Sequence, residues 1–319
     1  MAKRIVGVIL AVLILFTLSA CGGKETIQKT PAELAGEIRR NLEEYYTGRR
    51  LADYKEAAAL YAFGFDFSRC DWSELVRTPQ EGLKSYNNFL LSVYFLKKAG
   101  MDVSDYDTER YLGYLEEYVA DPEEIPTTEL SGAVIALVLY DREFDYFGVA
   151  DNLLLRQDSA GGFYDYPKKS GENQKVSPEA SAYALMAYQT IRPAVWSAKY
   201  NDSINDSTME YLFYRIDEET DYTVKDHYGK ASATATALCL TSLLSAGMTA
   251  EGDNAKCLLE GLNTFAVKED ENFKGFKEYY TDKTAYDEAN ACALLCVAAT
   301  LHGNPLMEKK VLFVEEISQ

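Results

Sequence analysis

Six segments of this chain are rich in small and apolar residues on nearly every side: Tyr54–Phe63, Ser85–Lys97, Glu129–Tyr140, Glu179–Ile191, Ser232–Ala246 and Glu288–Leu301. Their apolar residues recur at helical spacing, and a helix that is apolar all round must be buried all round. Between them run amphipathic segments with charged flanks: Pro31–Tyr46, a short one near Trp72–Val76, Thr108–Val119, Phe147–Arg156, Ile204–Ile216, Asp253–Val267 and Pro305–Ile317. No stretch sustains the period-two alternation of a half-buried strand. The order outer, inner, outer, inner predicts about six helix pairs in a closed ring, with an open stack of helical hairpins as the competitor. The Ala and Ser residues of the inner set favour the ring, because they let helices pack closely around an axis.

One junction sharpens this. Gln157, Gly161, Gly162 and Phe163 close an outer segment, and Ser177-Pro178-Glu179-Ala180-Ser181-Ala182-Tyr183-Ala184-Leu185 opens the next inner one. This resembles the repeat of the prenyltransferase and squalene cyclase (terpenoid cyclase) superfamily, in which an outer helix ends in Gln-x-x-x-Gly-Gly-Phe/Trp before a small-residue inner helix. A partial second copy lies at Phe273-Lys274-Gly275-Phe276 before Asp287–Leu294, and a third keeps only the inner half, Ala231–Leu238. The resemblance covers about 145 to 302 and implies an α/α toroid over residues 32–319. In such a turn Gly162 is expected to hold a backbone conformation poor for residues with a side chain.

The superfamily's own chemistry is missing. No cysteine has an aspartate two positions before it, so the zinc pair of protein prenyltransferases is absent. The nearest approach to the cyclase Asp-x-Asp-Asp acid, Asp105-Tyr106-Asp107-Thr108, lacks its last aspartate. With two histidines, His227 and His302, no metal site and no cofactor are expected. Asp+Glu total 50 against Lys+Arg 32, which excludes a nucleic-acid backbone as a partner.

Residues 1–20 read as a signal peptide: Lys3 and Arg4, then an apolar run too short to span a bilayer. Leu18-Ser19-Ala20-Cys21 resembles the bacterial lipobox, which implies a diacylglyceryl anchor on Cys21, an extracytoplasmic lipid-anchored location and a polar tether over 21–31. Cys239, Cys292 and Cys296 read as small core residues, although a bridge from Cys239 to Cys292 or Cys257 stays open.

Polar residues gather where the inner helices begin. In a ring these ends converge at one mouth, where free N–H groups favour anions. Glu129, Glu179 and Glu288 recur at matching places, with Ser181, Tyr183, Asn290, Tyr86, Asn88 and His227 beside them as the candidate cavity. Helix capping is the plain explanation for any one of them. The polar loop Pro167–Lys175 would overhang this mouth. The absences favour a non-catalytic surface protein that binds a small molecule, a glycan or a protein. The alternative is an exported glycan hydrolase or lyase using the mouth carboxylates, and a terpene or prenyl enzyme stands behind both.

Overall fold

The computed structural model describes residues 29–167 and 175–311. In chain order its helices are α1 (Pro31–Tyr46), α2 (Tyr54–Ala62), α3 (Leu83–Lys98), α4 (Thr108–Ala120), α5 (Thr127–Leu139), α6 (Tyr146–Leu155), α7 (Pro178–Ile191), α8 (Ala198–Tyr200), α9 (Thr208–Tyr214), α10 (Ala233–Ser245), α11 (Asp253–Asn263) and α12 (Asp287–His302). The all-round apolar segments are α2, α3, α5, α7, α10 and α12. Each packs on the next in that order, and α12 packs back on α2, so the inner helices form a closed ring. Helix α4 covers α3 and α5, α11 covers α10, and α1 lies over α12 and α11. This is an α/α toroid.

Burial follows the sequence pattern. Every residue of α7 from Ala180 to Ile191 is buried, as is every residue of α12 from Ala289 to Ala299. Outer α1 buries one stripe instead, Leu34, Ile38, Leu42 and Tyr46, four residues apart. Its start is set by a capping box: the Thr30 hydroxyl accepts from the Glu33 amide while the Glu33 carboxylate accepts from the Thr30 amide.

The outer layer departs from expectation in four places. Trp72–Val76 forms no helix, because Asp71 takes the Ser73 amide and hydroxyl in a local turn at 3.0 and 2.6 Å. Ile204–Ile216 belongs to a longer outer element, in which α8 runs into a π-helical stretch, Asn201–Ser207, and then α9. Within it the Ser203 carbonyl accepts the Gln157 side-chain amide at 2.8 Å. The helix expected to reach Val267 stops at Asn263, and Pro305–Ile317 supplies one 3-10 turn, Pro305–Met307, before leaving the described residues at 312. Short strands fill the gaps. Strands β1 (Ile216–Asp217), β2 (Thr223–Lys225) and β3 (Ala231–Ser232) form an antiparallel sheet, and β4 (Ala266–Glu269) pairs with β5 (Asn272–Phe276). Strands of two to five residues are too short for alternation to show.

The Gln157–Phe163 junction joins consecutive outer elements. The Gln157 side-chain amide donates to Gly161, Ser203 and Thr208. Phe163 is fully buried, and its amide donates to Ser181 Oγ at 2.8 Å. The same device recurs twice: the Val224 amide donates to Thr236 Oγ1 at 2.9 Å, and the Phe276 amide to Asn290 Oδ1 at 2.6 Å. Gly161, not Gly162, holds the left-handed backbone, with φ of +90°. Gly162 is required for space, because a Cβ there would lie 2.7 Å from the buried Tyr211 ring. Gly162→Val is therefore expected to cost about 1–3 kcal/mol by overpacking. An unchanged chemical-denaturation midpoint would show that the Tyr211 ring swings clear.

Cys70, Cys239, Cys257, Cys292 and Cys296 are in no disulfide among the described residues, so neither proposed bridge forms. The signal peptide and Cys21 fall outside the described residues, as does most of the Pro167–Lys175 loop.

Candidate active site

The N-terminal ends of the six inner helices share one end of the ring. Tyr54 on α2 and Tyr183 on α7 stand opposite each other in the ring order, and their hydroxyls meet at 3.2 Å across the interior. Beside this pair the buried Lys55 ammonium reaches Asp53 at 2.9 Å and Glu288 of α12 at 3.0 Å. Burial works against the Lys55 charge, but the two carboxylates overcome it and raise its pKa well above normal. Burial also opposes ionisation of Glu288, yet Lys55 wins and its pKa is lowered.

Glu179 is pushed the other way. Burial raises its pKa, although its carboxylate accepts the Ser177 hydroxyl at 2.6 Å and feels the His227 charge. Glu278, which follows β5, takes the Ser232 and Thr234 hydroxyls at the start of α10. Its pKa is raised by burial, with the Glu179 charge adding to the shift. Glu129 is also raised by burial, with Lys84 at the start of α3 pulling it back down. Lys84 acts on Glu288 as well, so its charge reaches both acids. On the far side of α2, burial pushes Glu56 up to about 7, although it accepts the Ala52 and Asp53 amides at 2.7 and 3.0 Å. It is a structural cap.

The other candidate residues divide. Tyr183 stands under the mouth. His227 lies at its edge, its ring 3.8 Å from that of Tyr228, within electrostatic reach of Glu179 and Asp165. Asp226 does not partner His227. It accepts the Tyr228 and Lys230 amides at 2.8 and 3.0 Å and the Tyr279 hydroxyl at 2.8 Å. Ser181 and Asn290 are consumed in holding Phe163 and Phe276, and Asn88 takes the Tyr54 amide at 2.7 Å as a cap for α2. Tyr86 faces away from the mouth: it packs on Tyr111 and Tyr114 of outer helix α4 at 5.4 and 5.3 Å. Three tyrosines of the loops around the mouth, Tyr166, Tyr228 and Tyr286, are 42–68% exposed.

Lys55, Asp53, Glu278 and Lys84 had not been singled out from the sequence. Lys55 carried a signal, as the one cation inside the apolar segment Tyr54–Phe63. Glu278 carried a subtler one. It lies two residues after Phe276, as Asp165 does after Phe163 and Asp226 after Val224, so each amide held by an inner helix is followed by an acid at the mouth. Val224 hides that repeat because neither a glycine nor an aromatic marks it.

No family model and no curated protein matches this chain. Among solved structures it is similar to the unsaturated glucuronyl hydrolase of Bacillus sp. GL1, with a TM-score of 0.55 and 12% identity over 85% of this chain and 96% of that one. It is similar to a polysaccharide lyase, with a TM-score of 0.53 and 12% identity over 85% and 96%. A variant unsaturated glucuronyl hydrolase from Streptococcus agalactiae gives a TM-score of 0.52 and 8% identity over 86% and 93%. At these identities the likeness is one of fold.

Proposed function

We propose that this chain is an exported glycan-degrading enzyme, a hydrolase or lyase working by acid/base chemistry at the toroid mouth. One observation carries the reading. Glu179 and Glu288 share the mouth and are driven in opposite directions, Glu179 towards holding its proton by burial and Glu288 towards ionisation by Lys55. A pair of carboxyls pushed apart in this way is the pattern of an acid and its partner base. Glu179 then donates a proton to the departing glycosidic oxygen, and the Glu288 carboxylate serves as base or charge stabiliser. The exposed rim tyrosines offer faces for sugar rings. The neighbouring folds named above belong to glucuronyl hydrolases and a polysaccharide lyase, which agrees with the reading. It is preferred here to the non-catalytic reading, which the absent zinc and cyclase motifs favour.

The test is turnover of a polysaccharide panel by the chain lacking residues 1–21, read as new reducing ends and as unsaturated products. Release of either is expected. The rate should fall as pH rises through the raised Glu179 pKa, because the acid works only while protonated. A ligand retained without turnover on any member of the panel would return the protein to the binding class.

The same reading places the enzyme outside the cytoplasm, held by a lipidated Cys21. Cys21→Ser should move the full-length protein out of the detergent phase, and continued partition of a processed mutant into that phase would remove the anchor from the account.

A further inference from the structure

Between α3 and α4 the surface opens into a cleft of about 730 Å³, within the range of small-ligand sites of about 300–1,000 Å³. Its walls are tyrosines. Tyr86 stacks on Tyr114 at 5.3 Å and 25°, Tyr111 lies 5.4 Å from Tyr86, and Tyr118 completes the cluster at 6.4 Å. Tyr114 and Tyr118 are only partly buried, so the cluster keeps ring surface open to the cleft. One cation lines the cleft, Arg110: its guanidinium sits 5.7–5.8 Å from the Tyr114 and Tyr111 centroids, and its Nε donates to the Tyr114 hydroxyl at 3.2 Å. The remaining charges are three exposed carboxylates, Glu81, Glu117 and Asp121.

The cleft adjoins the mouth. Tyr86 lies two residues along α3 from Lys84, whose charge acts on Glu129, and the Asn87 side chain donates to the Glu129 carbonyl at 2.8 Å. Its other wall ends at Asp121, where the chain turns towards α5 and back to the mouth.

We propose that this cleft is a distal subsite that stacks the rings of a glycan free of carboxylate and sulfate groups while its scissile bond lies at the mouth; this rests on the glycan reading above. Aromatic faces cover the apolar side of a pyranose, and unpaired carboxylates accept its hydroxyl donors. The same three carboxylates outnumber Arg110 and repel a uronic or sulfated residue. The substrate class is therefore neutral or amino-bearing, unlike the glycosaminoglycan named for the Bacillus hydrolase.

The experiment is calorimetric binding to the Glu179→Gln chain lacking residues 1–21, so that nothing is consumed. The probes are neutral hexasaccharides of glucose, mannose and N-acetylglucosamine, the matching disaccharides, and a chondroitin hexasaccharide. At least one neutral hexasaccharide should bind more tightly than chondroitin. Adding Tyr114→Ala should weaken it about tenfold, with less than a twofold effect on the disaccharide. Glu117→Lys, an exposed change that leaves the rings in place, should raise chondroitin affinity. Equal losses for long and short ligands, preference for chondroitin in the parent, or no neutral ligand at all would overturn the proposal. Failure of the acid/base reading shows elsewhere, as undiminished turnover in Glu179→Gln.

Discussion

Arg156→Met will lower the unfolding free energy by about 3–5 kcal/mol, several orphaned acceptors at about 1–3 kcal/mol each, less what water recovers. Arg156 is fully buried, and its hydrogen bonds go to neutral acceptors, with the Asp165 carboxylate only in electrostatic reach. Its guanidinium donates to the Pro122, Ile125 and Asp165 carbonyls, to Thr127 Oγ1, and through Nε to Asn152 Oδ1 at 2.7 Å. Burial drags its pKa down to about 10, so the charge survives at neutral pH. Methionine fills similar volume but donates nothing. Lysine cannot reproduce the planar fork and should recover only part of the loss. The held segment, 121–127, leads from Asp121 on the tyrosine cleft to the start of α5. Denaturant unfolding reads the cost, and a loss under about 1 kcal/mol would mean that water satisfies these carbonyls unaided.

Glu179→Gln should lower turnover by about 10²–10⁴-fold, the usual worth of a positioned general acid. Because burial already favours the neutral carboxyl, the amide should fold with nearly the parent stability near neutral pH. Binding of an uncut glycan should persist. The decisive comparison is kcat against KM: a fall in kcat alone marks a lost proton donor, and a rise in KM alone marks a lost contact. Retained kcat would remove Glu179 from the chemistry. A simple cap would instead show only about 0.3–1 kcal/mol of lost stability.

The fold was readable because its inner helices are apolar on all sides, and no partial burial could satisfy α7 or α12. The outer layer was harder. Asp71 takes the Ser73 amide, and within Asn201–Ser207 the Ser207 hydroxyl donates to the Asp202 carbonyl, local bonds that compete with the α-helix and that periodicity does not record. Glu129, Glu179 and Glu288 stood out through matching positions. Tyr86 shared their neighbourhood but not their helical phase: with Phe89, three residues on, it faces α4, where Phe89 meets Tyr111 at 5.0 Å. Lys55 escaped notice because its partner Glu288 comes from the other end of the chain, and only ring closure brings them together. Asn290 looked like a site residue for a good reason, since a fully buried asparagine among alanines must bond something, and here it bonds the Phe276 amide.

That closure carries a consequence for how the molecule is made. The ring's seam joins α2 to α12, the last complete helix described. Until α12 has been synthesised, α2 has no neighbour on one side, and the Lys55 ammonium lacks Glu288. Across the middle, the Tyr54–Tyr183 contact spans 129 residues of chain. Contacts of such long range repay their loop entropy late, so a growing chain stays open until α12 joins it. A chain ending before residue 287 would be left with unsheathed faces on α2 and α10 at once, which makes premature termination anywhere upstream a loss of the whole particle rather than of one spoke.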